Sequence, residues 1–401
     1  MSRKLICYRC FERFHPHEVK FRCENHRQFD QTGGCVLEDD KKIGSKLHHA
    51  FSLNGFMPVM SSFFKPPSQC KCDKCGYISK RRICPYCHHP LLFETGKIDE
   101  HIIAIIGGPG SGKSHFLTVL IERCLKGHVG ADFNAYIAKA DDKTSEIFLR
   151  EYIKQLFEDK REISPTTKDP DKRKEYRMIF RLNFSTKHPI TKKRINKPIT
   201  LVFYDISGEL LNTHESITEA TRYLWHSSGI IYLVNPIHLQ EISAKLKQDI
   251  QSIPVITPDE MLSNVIEEIR KNKDILPVEK IKIPIAVCLS QSDRLRDKNE
   301  FFKFDDRFFK PHRHKGKFDC HDFDIINAEI QDKLVQWGGI SGNLYRTVSQ
   351  SFKTKGFFAS SALGSSPVQG RIEEINPVRL EDPFLWILSE ISIISKSKGK
   401  A

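Results

Sequence analysis

The fold is decided by residues 107–114, which read Gly-Gly-Pro-Gly-Ser-Gly-Lys-Ser. The stretch matches the pattern G-x-x-x-x-G-K-S, in which backbone N–H groups curve around phosphate oxygens. Residues 102–106 before it predict a buried strand, and residues 115–126 after it have helical length and an apolar face. Because strand, glycine turn and helix follow in that order, the sequence predicts a phosphate-binding loop. A chance glycine loop without a ligand is the weaker interpretation.

Each part of this loop has its own expected role. The backbone N–H groups and the positive end of the following helix would hold the phosphates. The loop residues that would do so are Gly107, Gly110, Ser111 and Gly112. Lys113 would reach the β- and γ-phosphates, and the hydroxyl of Ser114 would bind Mg²⁺.

From residue 98 onward, apolar strand-like runs alternate with helical stretches, as in a parallel sheet with crossover helices. Further strands are predicted at residues 199–204, 229–235, 283–289 and 356–359, and a helix at residues 257–273. We therefore predict the α/β class, with the three-layer fold of P-loop NTPases and a mostly parallel sheet.

Polar residues follow three of these predicted strands. Asp205 opens the sequence Asp-x-x-Gly, in which the carboxylate can hold Mg²⁺ through water and Gly208 can sense a γ-phosphate. Residues 290–293 read Ser-Gln-Ser-Asp, and residues 360–362 read Ser-Ser-Ala. Ligands of open α/β sheets bind at the carboxyl ends of the strands, so these residues are predicted to share one site with the phosphate loop.

These segments resemble the G1, G3, G4 and G5 motifs of translation-factor-type (TRAFAC-like) GTPases, across residues 107–363. The resemblance implies GTP as ligand and substrate, Mg²⁺ as cofactor and GTP hydrolysis as the activity. It implies that Asp293 pairs with the N1 and N2 hydrogens of guanine, beside Ser290 and Gln291. It also implies that the backbone at Ser361 and Ala362 contacts the guanine O6.

Two positions depart from that pattern. Gln291 stands where the family has a lysine that covers the base, so an ATP-specific P-loop ATPase stays an alternative. Glu209 follows Gly208 where many members have a glutamine that orients water, and a carboxylate there repels the γ-phosphate. We therefore count Glu209 among the catalytic residues and expect slow intrinsic turnover. The sequence identifies neither a switch-one threonine nor an arginine finger.

Nine of the twelve cysteines fall within the first 87 residues, which in a cytosolic chain favours metal binding over disulfides. The clearest set pairs Cys72-x-x-Cys75 with Cys84-x-x-Cys87 and predicts one tetrahedral Zn²⁺ site. Four thiolates leave no open coordination position, so the predicted role of this zinc is structural.

A second zinc site is predicted upstream. Cys7 and Cys10 form one pair, and Cys23 is the third ligand. Cys35 is preferred as the fourth ligand, because it would otherwise be a thiol without a role, and His26 is the alternative. The first hundred residues therefore predict a tandem zinc-ribbon module, in which residues 41–69 read as a linker or extended loop.

The division predicted for the whole chain has three parts. Residues 1–97 form the zinc-ribbon module, residues 98–395 the GTPase domain, and residues 396–401 a basic tail. Insertions are expected at about 127–197 and 296–325. Zinc knuckles, a GTPase domain and the terminal element at residues 382–388 also resemble a bacterial "double-GTPase" class of predicted conflict and defence systems.

The net charge of +13 favours acidic partners, which are nucleic acid or the acidic face of a protein. For the Lys/Arg-rich stretches themselves, solvated loops and a frayed tail are the preferred interpretation. No apolar run approaches the roughly 20 residues that a membrane-spanning helix needs. The N-terminus lacks the apolar core of a signal peptide, which predicts a cytoplasmic location. The leading hypothesis is a slowly hydrolysing GTP switch whose zinc ribbons dock a protein or nucleic-acid partner. The rival is a zinc-dependent binding adaptor with a structural nucleotide site.

Overall fold

A computed structural model describes most of the chain, namely residues 4–25, 34–52, 65–93, 95–139, 148–163, 177–187, 194–204, 222–246, 256–296 and 306–397. These residues fall into two compact units. The cysteine-rich unit lies within Met1–Glu100 and includes Pro198–Thr200. The sheet unit lies within His101–Lys197 and Leu201–Ala401.

The cysteine-rich unit is made of strands two to four residues long. Its strands are β1 (Leu5–Ile6), β2 (Arg13–Phe14), β3 (Lys20–Arg22), β4 (Leu37–Asp40), β5 (Ser45–His48), β6 (Ala50–Phe51), β7 (Cys70–Lys71), β8 (Ile78–Ser79) and β9 (Arg82–Ile83). They pair as β1-β2, β4-β5, β7-β8 and β6-β3-β9. The prediction of a linker over residues 41–69 was wrong for β5 and β6, because both strands are paired.

The apolar core of this unit is small. Leu5, Phe14, Val19, Phe21 and Phe51 are buried together with cysteine side chains. Strands this short contribute few ladder hydrogen bonds, and a unit of this size buries too little apolar surface to fold securely on hydrophobic burial alone. We therefore expect the cysteine side chains to supply the additional stabilisation that this unit needs to fold.

The sheet unit is built on a seven-stranded sheet. The strands are β10 (Asp99–Gly107), β11 (Ala135–Lys139), β12 (Arg177–Lys187), β13 (Arg194–Tyr204), β14 (Gly229–Val234), β15 (Ile285–Leu289) and β16 (Lys355–Ala359). Their order is β11-β12-β13-β10-β14-β15-β16. The strands β10, β14, β15 and β16 are parallel, and β11 pairs with β12 in the antiparallel sense. The predicted α/β class with a mostly parallel sheet is confirmed.

Helices cover this sheet. They are α1 (Lys113–Leu125), α2 (His128–Phe133), a π-helix (Phe148–Glu158), α3 (Arg222–His226), α4 (Gln240–Leu246), α5 (Pro258–Lys273), α6 (Cys320–Trp337), α7 (Gly339–Ser351) and α8 (Asp382–Glu390). The helix α8 packs on β14, β15 and β16, and α7 packs on α5 and α6. Local signals set the ends: Thr257 and Glu260 form a capping box at the start of α5, and Asp319 caps α6.

Aromatic side chains fill the space between the sheet and its helices. The rings of Phe180 and Phe203 lie 6.2 Å apart, and Phe203 lies 6.1 Å from Phe384 of α8. Phe148 of the π-helix meets Phe180 edge-on at 5.9 Å, so this helix packs on the core of the sheet unit. Of these phenylalanines, Phe203 lies in a strand that the sequence predicts, at residues 199–204.

Two segments predicted as insertions contribute to the core. Residues 127–197 supply β11 and β12, which extend the main sheet. Within residues 296–325, Phe308, His314 and Phe318 are buried, and His314 contacts Asp382 at 3.2 Å. Among the described residues, no helix is long and apolar enough to cross a membrane.

Candidate nucleotide site and metal centres

The phosphate loop joins β10 to α1 at the carboxyl end of the parallel strands. Gly110 and Gly112 have φ angles of +67° and +77°, which lie in the left-handed region that favours glycine. A Cβ at Gly107 would lie 2.5 Å from the carbonyl oxygen of Leu233 in β14, so only glycine fits there. The chain therefore turns at these glycines, because a side chain would clash at Gly107 and would strain the backbone at Gly110 and Gly112.

Lys113 lies across the inside of this loop. Its Nζ donates to the carbonyl oxygens of Gly107 at 2.8 Å and Gly108 at 3.1 Å, and the residue is only 9% exposed. The Oγ of Ser111 is also buried and has no hydrogen-bond partner among the described residues. A buried ammonium that donates to two loop carbonyls, beside a buried hydroxyl, fits a polyanion such as a polyphosphate chain.

Two amide side chains hold the crest of the loop. The carbonyl oxygen of Gly110 accepts hydrogen bonds from Nδ2 of Asn235 and from Nε2 of Gln291, each at 3.0 Å. Asn235 follows β14 and Gln291 follows β15, so both reach the loop from the neighbouring strand ends. Gln291 was expected to lie beside the guanine base of the nucleotide. In the structure its side-chain amide also contacts the phosphate loop. Sequence reasoning missed Asn235, which belongs to none of the motifs.

His238 is a second residue that sequence reasoning missed. Its ring lies beside Gly110 and lines a narrow cavity with Gly108 and Asn235. Burial, together with the nearby charges of Arg294 and Lys113, lowers the pKa of His238 to about 4. The imidazole is therefore neutral at physiological pH. A single histidine after a predicted strand carries no pattern that would have identified it.

The two loops after β15 and β16 are joined by side-chain and backbone hydrogen bonds. Ser361 Oγ donates to Oδ1 of Asp293 at 2.6 Å, and the N–H of Gly364 donates to Ser361 Oγ at 2.8 Å. The N–H of Ser292 donates to the carbonyl oxygen of Ser360 at 3.1 Å. Asp293 thus has a fixed orientation at the same sheet edge as the phosphate loop. Ser290 is buried at the base of this loop, and Ala362 directly follows Ser361.

Three further catalytic candidates follow the strand β13. The strand β13 ends at Tyr204, and Asp205, Gly208 and Glu209 lie outside the described residues. Their roles in binding Mg²⁺ and in turnover stay predictions. The position of β13 next to β10 in the sheet is consistent with the predicted order of the motifs.

Eight cysteines meet in two groups of four. One group contains Cys7, Cys10, Cys84 and Cys87, and the other contains Cys23, Cys35, Cys72 and Cys75. The Sγ–Sγ distances are 3.7 Å for Cys7–Cys87 and Cys10–Cys84, 3.5 Å for Cys23–Cys75, and 3.8 Å for Cys35–Cys72. A tetrahedron with Zn–S bonds of about 2.3 Å separates its sulfurs by about 3.8 Å, so both groups fit Zn²⁺.

The predicted pairing of these ligands was wrong. Cys72 and Cys75 do not share a group with Cys84 and Cys87, because the groups interleave along the chain. The reason is the antiparallel pairing of β3 with β9, in which Lys20 lies opposite Ile83. Cys23 follows β3 and Cys84 follows β9, so the two cysteines leave the ladder at opposite ends. Cys35 lies in the second group, and the alternative ligand His26 lies outside the described residues.

Charged side chains form a cluster outside the two cysteine groups. Arg22 donates to Asp40 at 2.6 Å, and His88, next to Cys87, contacts the same carboxylate at 2.9 Å. Burial would raise the pKa of Asp40, but the hydrogen bonds from Arg22 and His88 lower it to about 2. The three side chains connect β3, β4 and the last cysteine pair, which keeps the ligand-bearing turns in position.

Comparisons with known proteins give one relative over the full length. No protein-family model matches the chain. It is 20% identical to the Mycolicibacterium smegmatis protein named "Putative ESX-1 scaffolding and assembly protein SaeC", across 97% of this chain and 99% of that protein.

Two solved structures show a weaker likeness. One is a signal recognition particle receptor SRb-GTP/SRX complex from Chaetomium thermophilum, with a TM-score of 0.30, 11% identity, and coverage of 67% of this chain and 94% of that chain. The other is Methanosarcina barkeri Roco2 RocCORdC bound to GDP, with a TM-score of 0.22, 13% identity, and coverage of 66% and 44%. These TM-scores are too low to inform the site, so its assignment depends on the residues described above.

Proposed function

We propose that the chain is a Mg²⁺-dependent GTP-binding protein that hydrolyses GTP slowly and acts as a nucleotide-controlled switch. The observation that carries the proposal is the hydrogen-bonded connection between the phosphate loop and the base loop. Gln291 joins its loop to Gly110, and Ser361 orients Asp293 at the same sheet edge. Phosphate-binding and base-reading groups therefore belong to one continuous site.

Asp293 supports guanine over adenine by its chemistry. A carboxylate offers only acceptors, and guanine presents two neighbouring donors at N1 and N2 where adenine presents none of that pair. Ser361 donates to one carboxylate oxygen and so restricts the rotation of the group. A recognition site of this kind discriminates because the wrong base would leave the carboxylate unpaired.

Lys113 and Ser114 would supply the electrostatic part of catalysis. The Lys113 ammonium would exchange its two carbonyl acceptors for phosphate oxygens, and Ser114 would hold Mg²⁺. The bound metal neutralises the charge that develops on the phosphates. Asp205 would hold the same ion through water, and Gly208 would sense the γ-phosphate. The carboxylate of Glu209 repels that phosphate, which is the reason for slow turnover.

Zinc in the two cysteine groups would give the cysteine-rich unit its order and make it a docking module. A protein partner is supported by the full-length likeness to a protein whose name describes scaffolding and assembly. Nucleic acid is the alternative partner, and a role in bacterial defence stays a prediction from the family resemblance. A switch requires that the partner bind the two nucleotide states with different affinities.

A single-turnover assay of phosphate release from Mg²⁺-GTP tests the proposal. Wild-type protein should release phosphate slowly, Lys113→Ala should release none, and Glu209→Gln should release it faster than wild type. Phosphate release by Lys113→Ala at the wild-type rate would contradict the proposal. Turnover by wild type with ATP alone would support the ATPase alternative.

A further inference from the structure

Asn235 lies where β14 ends, and its side chain is fixed at both ends of the amide. The residue is 3% exposed, and its Oδ1 accepts a hydrogen bond from the N–H of Ile237 at 3.2 Å. Its backbone carbonyl oxygen accepts from the N–H of His238 at 2.9 Å. Asn235 therefore caps the short 3₁₀ turn at Pro236–His238, and the oxygen of its amide faces that turn.

The nitrogen of the same amide faces the phosphate loop. Nδ2 of Asn235 donates to the carbonyl oxygen of Gly110 at 3.0 Å. If the amide were turned over, its oxygen would face this carbonyl oxygen and its NH₂ group would face the N–H of Ile237. Both of those pairs would repel, so the two contacts together keep the donor on the side of the loop.

A second amide donates to the same carbonyl oxygen. Nε2 of Gln291 lies 3.0 Å from the oxygen of Gly110, and a Cβ at Gly112 would lie 3.4 Å from that Nε2. A carbonyl oxygen has two lone pairs, so Asn235 and Gln291 can occupy both of its acceptor positions. The two amides follow different strands, β14 and β15, and each ties the loop to its own strand end.

The direction of this carbonyl determines the direction of the next N–H group. In a trans peptide, the C=O of Gly110 and the N–H of Ser111 point in opposite directions. The N–H of Ser111 donates to the carbonyl oxygen of Gly108 at 3.2 Å, and Nζ of Lys113 donates to that same oxygen at 3.1 Å. The Ser111 N–H and the Lys113 ammonium therefore converge inside the loop, on the side away from the two amides.

This convergence suits a phosphate group inside the loop. Both donors would exchange the Gly108 carbonyl for phosphate oxygens, which are stronger acceptors because they are charged. A flip of the Gly110–Ser111 peptide would present a carbonyl oxygen instead of the N–H, and its partial negative charge would repel the anion. Gly110, at a φ of +67°, resists such a flip less than any other residue type would. The loop therefore needs a constraint from outside the glycine.

We propose that Asn235 is a positioning residue that holds the Gly110–Ser111 peptide with its N–H toward the bound phosphates, a role that it shares with Gln291. The inference rests on the proposed function only for the phosphate chain, since neither the base nor hydrolysis enters it. A residue with this role affects every ligand that carries the chain. Inorganic tripolyphosphate, which has no base, is therefore the appropriate probe.

Two substitutions remove the donor of Asn235 and have different side effects. Asn235→Asp keeps an acceptor for the N–H of Ile237 but adds a charge, whereas Asn235→Leu adds no charge but loses the cap. Each should weaken Mg²⁺-tripolyphosphate binding by about tenfold, or about 1.4 kcal/mol, in isothermal titration calorimetry of the full, zinc-loaded chain. Unchanged binding in either variant, or a wild type that does not bind tripolyphosphate, would overturn the inference.

The matched control is Asn343→Asp on α7. The Oδ1 of Asn343 accepts from Arg346, so the same substitution keeps its contact there and should leave tripolyphosphate binding unchanged. Failure of the guanine assignment is seen separately, because equal wild-type affinities for GTP and ATP would contradict that assignment without altering the tripolyphosphate result.

A double variant tests whether the two amides act on one peptide. Either amide alone can still hold the carbonyl oxygen in part, so Asn235→Leu/Gln291→Leu should lose more affinity than the sum of the losses in Asn235→Leu and Gln291→Leu. Additive losses would show that the two side chains act independently, which would overturn the shared role.

The amide signal of Ser111 separates positioning from a general loss of stability. Labelling with carbonyl-¹³C glycine and ¹⁵N serine selects the serines that follow glycine, which are Ser45, Ser111 and Ser365. The Ser111 signal is the one missing in Ser111→Ala. Saturating tripolyphosphate should move its amide proton downfield in wild type and much less in Asn235→Leu. An equal shift in both proteins, or no shift in wild type, would overturn the inference.

Discussion

The two units of this chain reach an ordered structure by different physical routes. The cysteine-rich unit has strands of two to four residues and a core in which cysteines stand beside five apolar side chains. The sheet unit has a seven-stranded sheet with aromatic side chains packed between sheet and helices. We propose that metal ligation by the two cysteine groups orders the first unit as apolar burial orders the second, so the two units should respond to different perturbations.

The chain offers a direct way to observe the units separately. All three tryptophans, Trp225, Trp337 and Trp386, belong to the sheet unit. Tryptophan fluorescence therefore reports unfolding of that unit alone, whereas zinc content reports the cysteine-rich unit. The predictions below use this division.

The largest expected effect is the loss of zinc from Cys84→Ser/Cys87→Ser. Zinc binding contributes about 10–16 kcal/mol to the folding of small zinc domains at pH 7. Because the two groups interleave, opening one should also disorder the turns that carry the other, and both zinc ions should be lost. The tryptophan transition should stay unchanged. Metal analysis of the purified variant checks the zinc content.

Cys70→Ser is the matched control, since Cys70 lies in neither group, and this variant should keep two zinc ions. A Cys84→Ser/Cys87→Ser protein that retains one firmly bound zinc ion would contradict the coupling of the two groups. It would show that Cys23, Cys35, Cys72 and Cys75 order their own half of the unit.

The complementary change removes an aromatic side chain from the sheet unit. Phe203→Ala should lower the free energy of unfolding of that unit by about 3–5 kcal/mol, because the cavity lies between Phe180 and Phe384. Chemical denaturation followed by tryptophan fluorescence measures it, and zinc content should not change. Tyr136→Ala on β11, where the ring is 62% exposed, should cost far less. Similar losses in both variants would contradict the core described here.

A third change affects the ligand rather than the fold. Lys113→Ala should weaken Mg²⁺-GTP binding by about 100-fold, or about 2.7 kcal/mol, since it removes the ammonium from the phosphate loop. Lys126→Ala, which removes an exposed partner of Glu122, should bind as wild type does. Isothermal titration calorimetry checks both. Wild-type affinity in Lys113→Ala would mean that the nucleotide binds elsewhere.

The smallest expected effect is a pH dependence of the sheet unit. Burial lowers the pKa of both His115 and His238 to about 4, from about 6.5 in an unfolded chain. The unfolded chain therefore binds more protons between those values, so stability is full above pH 6.5 and falls as the pH drops toward 4. Tryptophan-detected melting between pH 4 and 7 should show the fall, and His115→Gln/His238→Gln should flatten it. His128→Gln, at an exposed site, should not.

Much of the sheet unit could be predicted because its signals are local. The strand before the phosphate loop, the helix after it and the helix at residues 257–273 follow from apolar periodicity and glycine placement. The strands β11 and β12 were harder to predict, since their pairing places Ala135 opposite Phe184, 49 positions further along the chain. In the sequence, a strand that extends the main sheet looks the same as a strand within an inserted segment, because both show only local strand signals.

The metal centres show a sharper limit. The eight cysteines could be chosen from their spacing, but the division into groups could not. Each C-x-x-C pair offers the same two thiolates from the same tight turn, so spacing alone favours the nearest pair. The strand pairing of β3 with β9 decides the partners, and two- or three-residue strands have almost no periodicity to detect. Asn235 and His238 were missed for a related reason, since single polar residues at strand ends carry no pattern.

The central claim is that Asp293 reads guanine in a site continuous with the phosphate loop. Its most direct test is titration of Mg²⁺-loaded wild type and Asp293→Asn with GTP, ATP and xanthosine triphosphate. Wild type should prefer GTP, and Asp293→Asn should lose GTP and gain xanthosine triphosphate, because an amide donates to the xanthine O2 and accepts from its N1 hydrogen. Equal binding of GTP and ATP by wild type, or an unchanged preference in Asp293→Asn, would contradict the claim.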